Sequence, residues 1–225
     1  MKHVLDRPIW SALTTRHKHL AEGGPAAVRF QPSISQFAAT VDNSDTSLAE
    51  LNALAAVGDN QIFLQVDDIE LPRGFNATIR ARAVQMLAEK HVAPFEYPRI
   101  QRLSTADAVD MLALATLTKP GPFTLRSQEL GRFWGIKEGG QLIAMAGERL
   151  KQPGMTELSG VAVHPSQQGK GFGRLLSLYV AGQIFAAGEQ PYLHAYATNA
   201  KAIALYESLG FRLRTEMNVA MAEKK

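Results

Sequence analysis

Three glycines at alternate positions, Gly169, Gly171 and Gly173, directly precede an apolar pattern that is typical of a helix. Glycine costs about 0.5–1 kcal/mol of backbone entropy relative to alanine, so three together need a reason. Bare glycines let backbone N–H groups approach a ligand closely, and the first turn of a helix adds unpaired N–H groups at the positive end of its dipole. The segment therefore predicts an anion-binding loop. A tight packing turn between a strand and a helix is the alternative.

Two common phosphate-binding motifs do not fit this loop. A Walker loop has serine or threonine after its lysine, whereas Lys170 is followed by Gly171. A Rossmann fingerprint has Gly-x-Gly-x-x-Gly and an acidic residue at the end of the second strand. Here the spacing is Gly-x-Gly-x-Gly, and the second strand is predicted to end at residues 196–198, Tyr-Ala-Thr.

The glycine loop lies within an alternating order of predicted strands and helices. Residues 155–163 are predicted to form the strand before the loop, and residues 191–197 the strand that follows the next helix. A helix over residues 199–209 then precedes Gly210 at a capping position and a last strand from Phe211. This order indicates an α/β fold with a mixed sheet.

Residues 91–98 contain two prolines and little periodicity, and we predict a linker there. Residues 1–90 are predicted to form a small α/β region, and residues 99–225 the domain that carries the glycine loop. The other predicted elements are helices over residues 8–20, 47–56 and 104–117 and strands over residues 60–66, 83–89, 99–103, 133–137 and 141–149.

The composition is that of a soluble globular protein, with 46% hydrophobic and 20% charged residues among 225. No apolar run approaches the roughly 20 residues of a membrane helix, and the first ten residues lack the apolar segment of a secretory signal. Cysteine is absent, which excludes disulfides, thiolate metal sites and a cysteine nucleophile and favours a cytoplasmic location. The net charge of +3, without a basic run interleaved with aromatic residues, argues against a nucleic-acid partner.

Gln168, Gly171 and Gly173 fit the pattern Gln/Arg-x-x-Gly-x-Gly/Ala. Residues 199–211 fit Asn-x-x-Ala-x-x-x-Tyr-x-x-x-Gly-Phe. With the strands on either side of the loop, these segments resemble the GCN5-related N-acetyltransferases (GNAT family), in the branch similar to the C-terminal domain of glycine N-acyltransferase (FR47-like). The resemblance covers about residues 98–221 and implies a mixed central sheet flanked by helices. One interpretation of residues 1–90 is a degenerate half of the same fold.

The resemblance implies acyl-CoA, foremost acetyl-CoA, as co-substrate, and no metal. It implies that Val161 and Val163 bind the co-substrate through their backbone groups. The other residues that it implies in binding are the loop residues Gln168, Gly169, Lys170, Gly171, Phe172, Gly173 and Arg174, together with Asn199 and Tyr206. Asn199 is also a plausible helix N-cap. Lys170 and Arg174 either screen phosphate charge or are solvated.

The resemblance also implies a catalytic pair. Tyr206 matches the proton donor to the departing CoA thiolate, and a core tyrosine is the alternative. Glu157 resembles the catalytic glutamate of the histone-acetylating members. A glutamate of pKa about 4.3 is a weak base unless it is buried or relayed by water, so a salt-bridged strand carboxylate remains an alternative. Glu148 and His194 are rival bases.

These features predict an N-acyltransferase, foremost an acetyltransferase. It is expected to move an acyl group from acyl-CoA to a primary amine of a small molecule or amino acid, by direct attack in a ternary complex. The alternative is a catalytically weak acyl-CoA-binding sensor or interaction module. We expect a monomer or homodimer, with no nucleic-acid or membrane partner.

Overall fold

Strands and helices alternate along most of the chain in the computed structural model, which describes residues 3–225. The strands are β1 (Ala21–Gly23), β2 (Ala27–Phe30), β3 (Ala38–Thr40), β4 (Asn60–Gln65), β5 (Phe75–Ala88), β6 (Ile100–Leu103), β7 (Phe133–Glu138), β8 (Gln141–Gln152), β9 (Met155–Val163), β10 (Gln190–Tyr196) and β11 (Phe211–Lys224). The α-helices are α1 (Pro8–Thr14), α2 (Asp45–Leu54), α3 (Ala108–Thr118), α4 (Phe172–Ala186) and α5 (Ala200–Ser208).

The central sheet has eight strands in the order β4-β11-β5-β10-β9-β8-β7-β6, and β1, β2 and β3 form a small second sheet. The last strand, β11, pairs with both β4 and β5, and β5 also pairs with β10. Strands from before residue 91 and after residue 98 therefore share one sheet. The division of the chain into two domains at residues 91–98 stays a prediction.

Strands β9 and β10 run parallel but pair only at their starts, up to Glu157 and Tyr192. Beyond that point β9 carries an irregularity against β8, where Gly160 has φ +64°. A Cβ on Gly160 would lie 2.8 Å from Cε1 of Phe133, so glycine is required there. Because an extra residue bends a strand away from its neighbour, the irregularity helps to open a gap between β9 and β10.

Helices cover both faces of the sheet. Neighbouring residues of a strand point to opposite faces, and on β8 Ile143 packs in the cluster of α4 whereas Leu142 packs in that of α3. Helices α3 and α4 therefore lie on opposite faces. The predicted α/β class, with a mixed sheet flanked by helices, is confirmed. Among the described residues, no helix is long and apolar enough to cross a membrane.

The largest differences from the predicted elements lie before residue 91. The helix predicted over residues 8–20 ends at Thr14, because the His17 N–H bonds back to the Ala12 carbonyl and a short 3-10 turn follows. Strand β5 begins at Phe75 instead of residue 83. Its first half is largely exposed, so it lacks the alternation of apolar residues that predicts a strand.

Candidate active site

A cleft of about 670 Å³ opens where β9 and β10 part. The glycine loop and the first turn of α4 lie at one end, and the start of α5 lies alongside. The segment of residues 118–122, which begins at the last residue of α3, and parts of β4, β5 and β11 also line it. Both the N-terminal and the C-terminal regions thus contribute to one cleft.

The glycine loop presents free backbone donors to this cleft. Gly169 and Gly171 have φ of +80° and +82°, and no other described atom lies within 4 Å of a Cβ built on either. Gly171 is the N-cap of α4. The N–H groups of residues 169–174 have no hydrogen-bond acceptor among residues 3–225. Such a row of N–H groups at a helix N-terminus fits a phosphate group.

Most of the residues that the sequence predicted in acyl-CoA binding line the cleft. They are Val161, Val163, Gln168, Gly169, Gly171, Phe172, Gly173, Arg174, Asn199 and Tyr206. Lys170 is not among the lining residues, and its Nζ donates to Gln167 Oε1 at 2.8 Å. Asn199 is the N-cap of α5, since its Oδ1 accepts from the Ala202 N–H at 3.1 Å.

Tyr206 packs beside Phe211, with ring centroids 6.0 Å apart, and lines the cleft. Its hydroxyl makes no hydrogen bond within residues 3–225, so it is available to a ligand. Burial, and to a lesser extent the negative charge of Glu157, raises the pKa of Tyr206 to about 12. The phenol therefore stays protonated at neutral pH and can act as a hydrogen-bond donor.

Glu157 lies behind the cleft wall and is fully buried. Its carboxylate accepts hydrogen bonds from Arg149 Nε at 2.8 Å and Nη2 at 2.6 Å, and from the Leu150 N–H at 3.2 Å. A fourth bond, of 2.7 Å, joins it to His194 Nδ1. Burial alone would raise the pKa of Glu157, but Arg149 and His194 outweigh it and hold the pKa well below its usual range.

His194 lines the cleft, yet both of its ring nitrogens are engaged. Gln85 Nε2 contacts His194 Nε2 at 2.8 Å and donates to the Leu5 carbonyl at 3.0 Å, while Gln85 Oε1 accepts from Arg214. Because Arg214 only donates and the Leu5 carbonyl only accepts, the Gln85 amide has one orientation. His194 Nε2 is then an acceptor, and Nδ1–H donates to Glu157.

Glu148 is also fully buried, but it is not among the residues that line the cleft. Arg132 Nε donates to it at 2.7 Å, and Lys151 Nζ lies 2.6 Å from its Oε2. Burial would raise the pKa of Glu148, and these two cations outweigh that effect and lower it. All three of the bases that the sequence suggested thus have hydrogen-bond partners within the protein.

The part of the cleft that β4 and β11 line is apolar. On β4 and β11 two cross-strand pairs, Leu64–Val219 and Ile62–Met221, contribute to its lining. Phe37 joins them through a bridge to Ile62, and the Arg149 guanidinium lies 5.0 Å from the Phe37 ring centroid. The sequence did not indicate these residues or Arg149 as part of a site, since no motif covers their segments.

Comparison with known proteins identifies the family of this chain. Residues 133–219 match the family model described as FR47-like protein. A crystal structure of a protein assigned to the GNAT family of acetyltransferases, from Novosphingobium aromaticivorans, is 36% identical, covers 100% of both chains and has a TM-score of 0.93. The chain belongs to the GNAT family. The resemblance that its sequence motifs carried is therefore confirmed.

More distant GNAT structures share the fold alone. A GCN5-related N-acetyltransferase from Kribbella flavida is 15% identical, covers 95% of each chain and has a TM-score of 0.60. A GCN5-related N-acetyltransferase-like protein from Streptococcus suis is 12% identical, with 95% of this chain and 92% of that chain covered and a TM-score of 0.59. No curated protein sequence matches the chain.

Proposed function

We propose that this GNAT protein is an acyl-CoA-dependent N-acyltransferase, foremost an acetyltransferase, that acts on a primary amine of a small molecule or amino acid. The observation that carries the proposal is one cleft with free N–H groups of residues 169–174 at one end and the unbonded Tyr206 hydroxyl in its wall. Acetyl-CoA would supply a thioester, whose acetyl group passes to the amine nitrogen as the C–S bond breaks and the thiol leaves.

The loop is suited to hold the pyrophosphate of CoA. Its N–H groups and the N-terminus of α4 attract anions, and the side chains of Arg174 and Lys201 add positive charge to the same cleft. Within residues 3–225, no strand pairs with β9 on its β10 side beyond Glu157. The backbone of Val161 and Val163 is therefore free to bind the amide-bearing arm of CoA.

Tyr206 is suited to support the departing thiolate. A phenol whose pKa is about 12 is a weaker acid than a thiol of pKa about 8.5. We infer that Tyr206 mainly donates a hydrogen bond to the sulfur as charge develops there, without full loss of its proton.

Deprotonation of the amine requires a proton acceptor in the cleft. The general-base role of Glu157 stays a prediction, and its surroundings favour a positioning role. Its carboxylate is ionised at neutral pH, but four donors surround it and it does not line the cleft. We propose that the proton leaves through water in the cleft, while Glu157 holds Arg149 and His194 in place.

One observation favours the alternative of a catalytically weak acyl-CoA sensor. Glu157, Glu148 and His194 already have partners, so among these three no base is free to accept a proton. A sensor would bind acetyl-CoA through the same loop but would release little thiol in the presence of any amine.

The test is a screen of primary amines with acetyl-CoA, read out as free thiol, in which Tyr206→Phe is the matched variant. Phenylalanine keeps the packing on Phe211 and loses no hydrogen bond within residues 3–225. Turnover should fall by about 10²–10³-fold, with acetyl-CoA affinity little changed. Unchanged turnover where chemistry limits the rate would make Tyr206 a packing residue. Tight acetyl-CoA binding without thiol release for any amine would favour the sensor.

A further inference from the structure

We propose that the acceptor is an amine that carries a carboxylate and a bulky apolar group, most simply an apolar amino acid, and that Arg149 binds the carboxylate. The inference rests on the proposed function and names the acceptor class for the same site. Its basis is the juxtaposition of a fixed guanidinium with an apolar wall in the same cleft.

Arg149 is held so that part of its guanidinium faces the cleft. Glu157 binds Nε and Nη2 side-on, whereas Nη1 makes no hydrogen bond within residues 3–225. The side chain is 13% exposed, and Arg149 lines the cleft. Because Glu157 and the Phe37 ring fix its plane, the free N–H groups are oriented in advance for a planar anion such as a carboxylate.

The charges along the cleft disfavour an acceptor that carries a second cation. Four cationic side chains are among the described residues that line it, and none of those lining residues is aspartate or glutamate. The cations are Lys119, Arg149, Arg174 and Lys201. A diamine, or a lysine in a basic peptide, would bring a further positive charge without meeting a carboxylate. An amino acid adds no net charge, and its carboxylate has a partner in Arg149, which is not one of the cations assigned to the CoA phosphates.

The apolar wall adjoins Arg149 directly. Phe37 stacks under the guanidinium and bridges to Ile62, which is followed across the sheet by Met221 and along β4 by Leu64. A ligand whose carboxylate binds Nη1 of Arg149 therefore has an apolar surface within reach of its side chain. Glycine would leave that surface uncovered, so a leucine-sized side chain should bind better.

Four acceptors separate the contributions. These are leucine, leucinamide, 3-methylbutylamine and glycine. Leucinamide and 3-methylbutylamine lack the carboxylate, and glycine lacks the apolar group. We expect kcat/KM, expressed per unprotonated amine, to be at least about tenfold higher for leucine than for each of the others. Equal or faster acetylation of leucinamide would overturn the carboxylate site, although the acetyltransferase function would stand.

A binding measurement tests the same site without turnover. Calorimetry on CoA-saturated protein should give an affinity for N-acetylleucine at least about tenfold above that for N-acetylleucinamide. Equal affinities would overturn the inference. Because this readout needs no catalysis, failure to acetylate any amine would contradict the proposed function and leave the carboxylate site to be decided by binding.

Arg149→Lys tests the residue itself. Lysine keeps a positive charge beside the buried Glu157 but lacks Nη1, so the preference for N-acetylleucine over its amide should fall toward unity. Arg82→Lys, on an exposed side chain of β5 outside the cleft, is the matched control and should keep the preference. An unchanged preference in Arg149→Lys would assign the carboxylate to another group.

Discussion

Glu157 bonds two cleft-lining side chains that come from different strands. Arg149 comes from β8 and His194 from β10, and both bond the same buried carboxylate. Loss of one partner from a buried ion pair leaves an uncompensated charge and costs about 3–5 kcal/mol, so this cluster is also a structural unit. The question at this position is therefore whether Glu157 accepts a proton or only fixes its neighbours.

The pH profile of Glu157→Gln distinguishes these roles. Arg149 and His194 keep the pKa of Glu157 well below its usual range, so the carboxylate is already ionised at every pH between about 6 and 9. If it only positions Arg149 and His194, the variant should lose activity by a similar factor, about 10–10²-fold, across this range. The measurement is kcat/KM against pH for both proteins.

Recovery of the variant toward the wild-type rate as the pH approaches the pKa of the amine would instead establish Glu157 as the base. Urea denaturation of the variant is the control, because a loss of folded protein would also lower activity. Activity is then normalised to the folded fraction.

At the residue scale, the sequence motifs predicted residues that mostly line one cleft, and they did not extend to the rest of its lining. The glycines and Tyr206 lie in segments whose spacing is characteristic. The pairing of Arg149 with Glu157 is different, because it depends on the register of β8 and β9, which shifts between Glu148 and Lys151. No spacing rule gives such a shift, so the partner of Glu157 could be found only in the folded structure.

Helix α4 offers a matched pair of glycines at its two ends. Gly171 caps its N-terminus, and Gly188 follows its C-terminus with φ +75°. An added Cβ meets no described atom within 4 Å at either position, and the unfavourable positive φ is similar. Alanine at each site should therefore cost similar stability, and only Gly171 lines the cleft.

We expect Gly171→Ala to weaken acetyl-CoA binding by about tenfold or more, because the methyl group obstructs the close approach of phosphate to the loop. Gly188→Ala should leave the affinity unchanged. Calorimetry measures both affinities, and thermal denaturation compares the stabilities. Equal affinities in the two variants would place the phosphates away from Gly171.

At the element scale, prediction succeeded where an apolar segment is bounded by turn residues. Strands β7 and β8 carry such buried runs on either side of Gly139 and Gly140, and β9 has the predicted bounds, Met155–Val163. Strands β1, β2 and β3 have only three or four residues each, which is too short for alternation to be recognised. The pairing of these three strands depends on tertiary contacts and not on a local sequence pattern.

At the scale of the whole molecule, the N-terminal region completes the sheet and the cleft. Strands β4 and β5 pair with the last strand, β11, although more than a hundred residues of chain separate them. Helix α1 and its following turn pack in a core cluster with Leu150 and Tyr192 of the C-terminal region. These long-range contacts have no local sequence signal, so the sequence predicted an α/β class with a mixed sheet flanked by helices but not the pairing of β4 and β5 with β11.

His17 is buried beside this core cluster and makes the stability of the protein depend on pH. The imidazole is 3% exposed, its Nε2 bonds the Leu130 carbonyl at 3.0 Å, and its Nδ1 has no partner among the described residues. Burial above all, with the positive charge of Lys151 adding to it, lowers the pKa of His17 to about 4, although the bond to Leu130 acts in the opposite direction. A proton on Nδ1 would be buried without an acceptor.

The unfolded chain therefore binds this proton at a higher pH than the folded protein does. Well above pH 6.5 both states are neutral at His17, and the stability is at its full value. As the pH falls from 6.5 toward 4, only the unfolded state gains the proton, so the free energy of unfolding decreases, by about 2 kcal/mol between pH 7 and pH 5.

Glutamine can still donate to the Leu130 carbonyl but does not titrate, so His17→Gln should remove this decrease. Urea denaturation of both proteins at the two pH values measures the difference, and an equal decrease in the variant would show that other groups cause it.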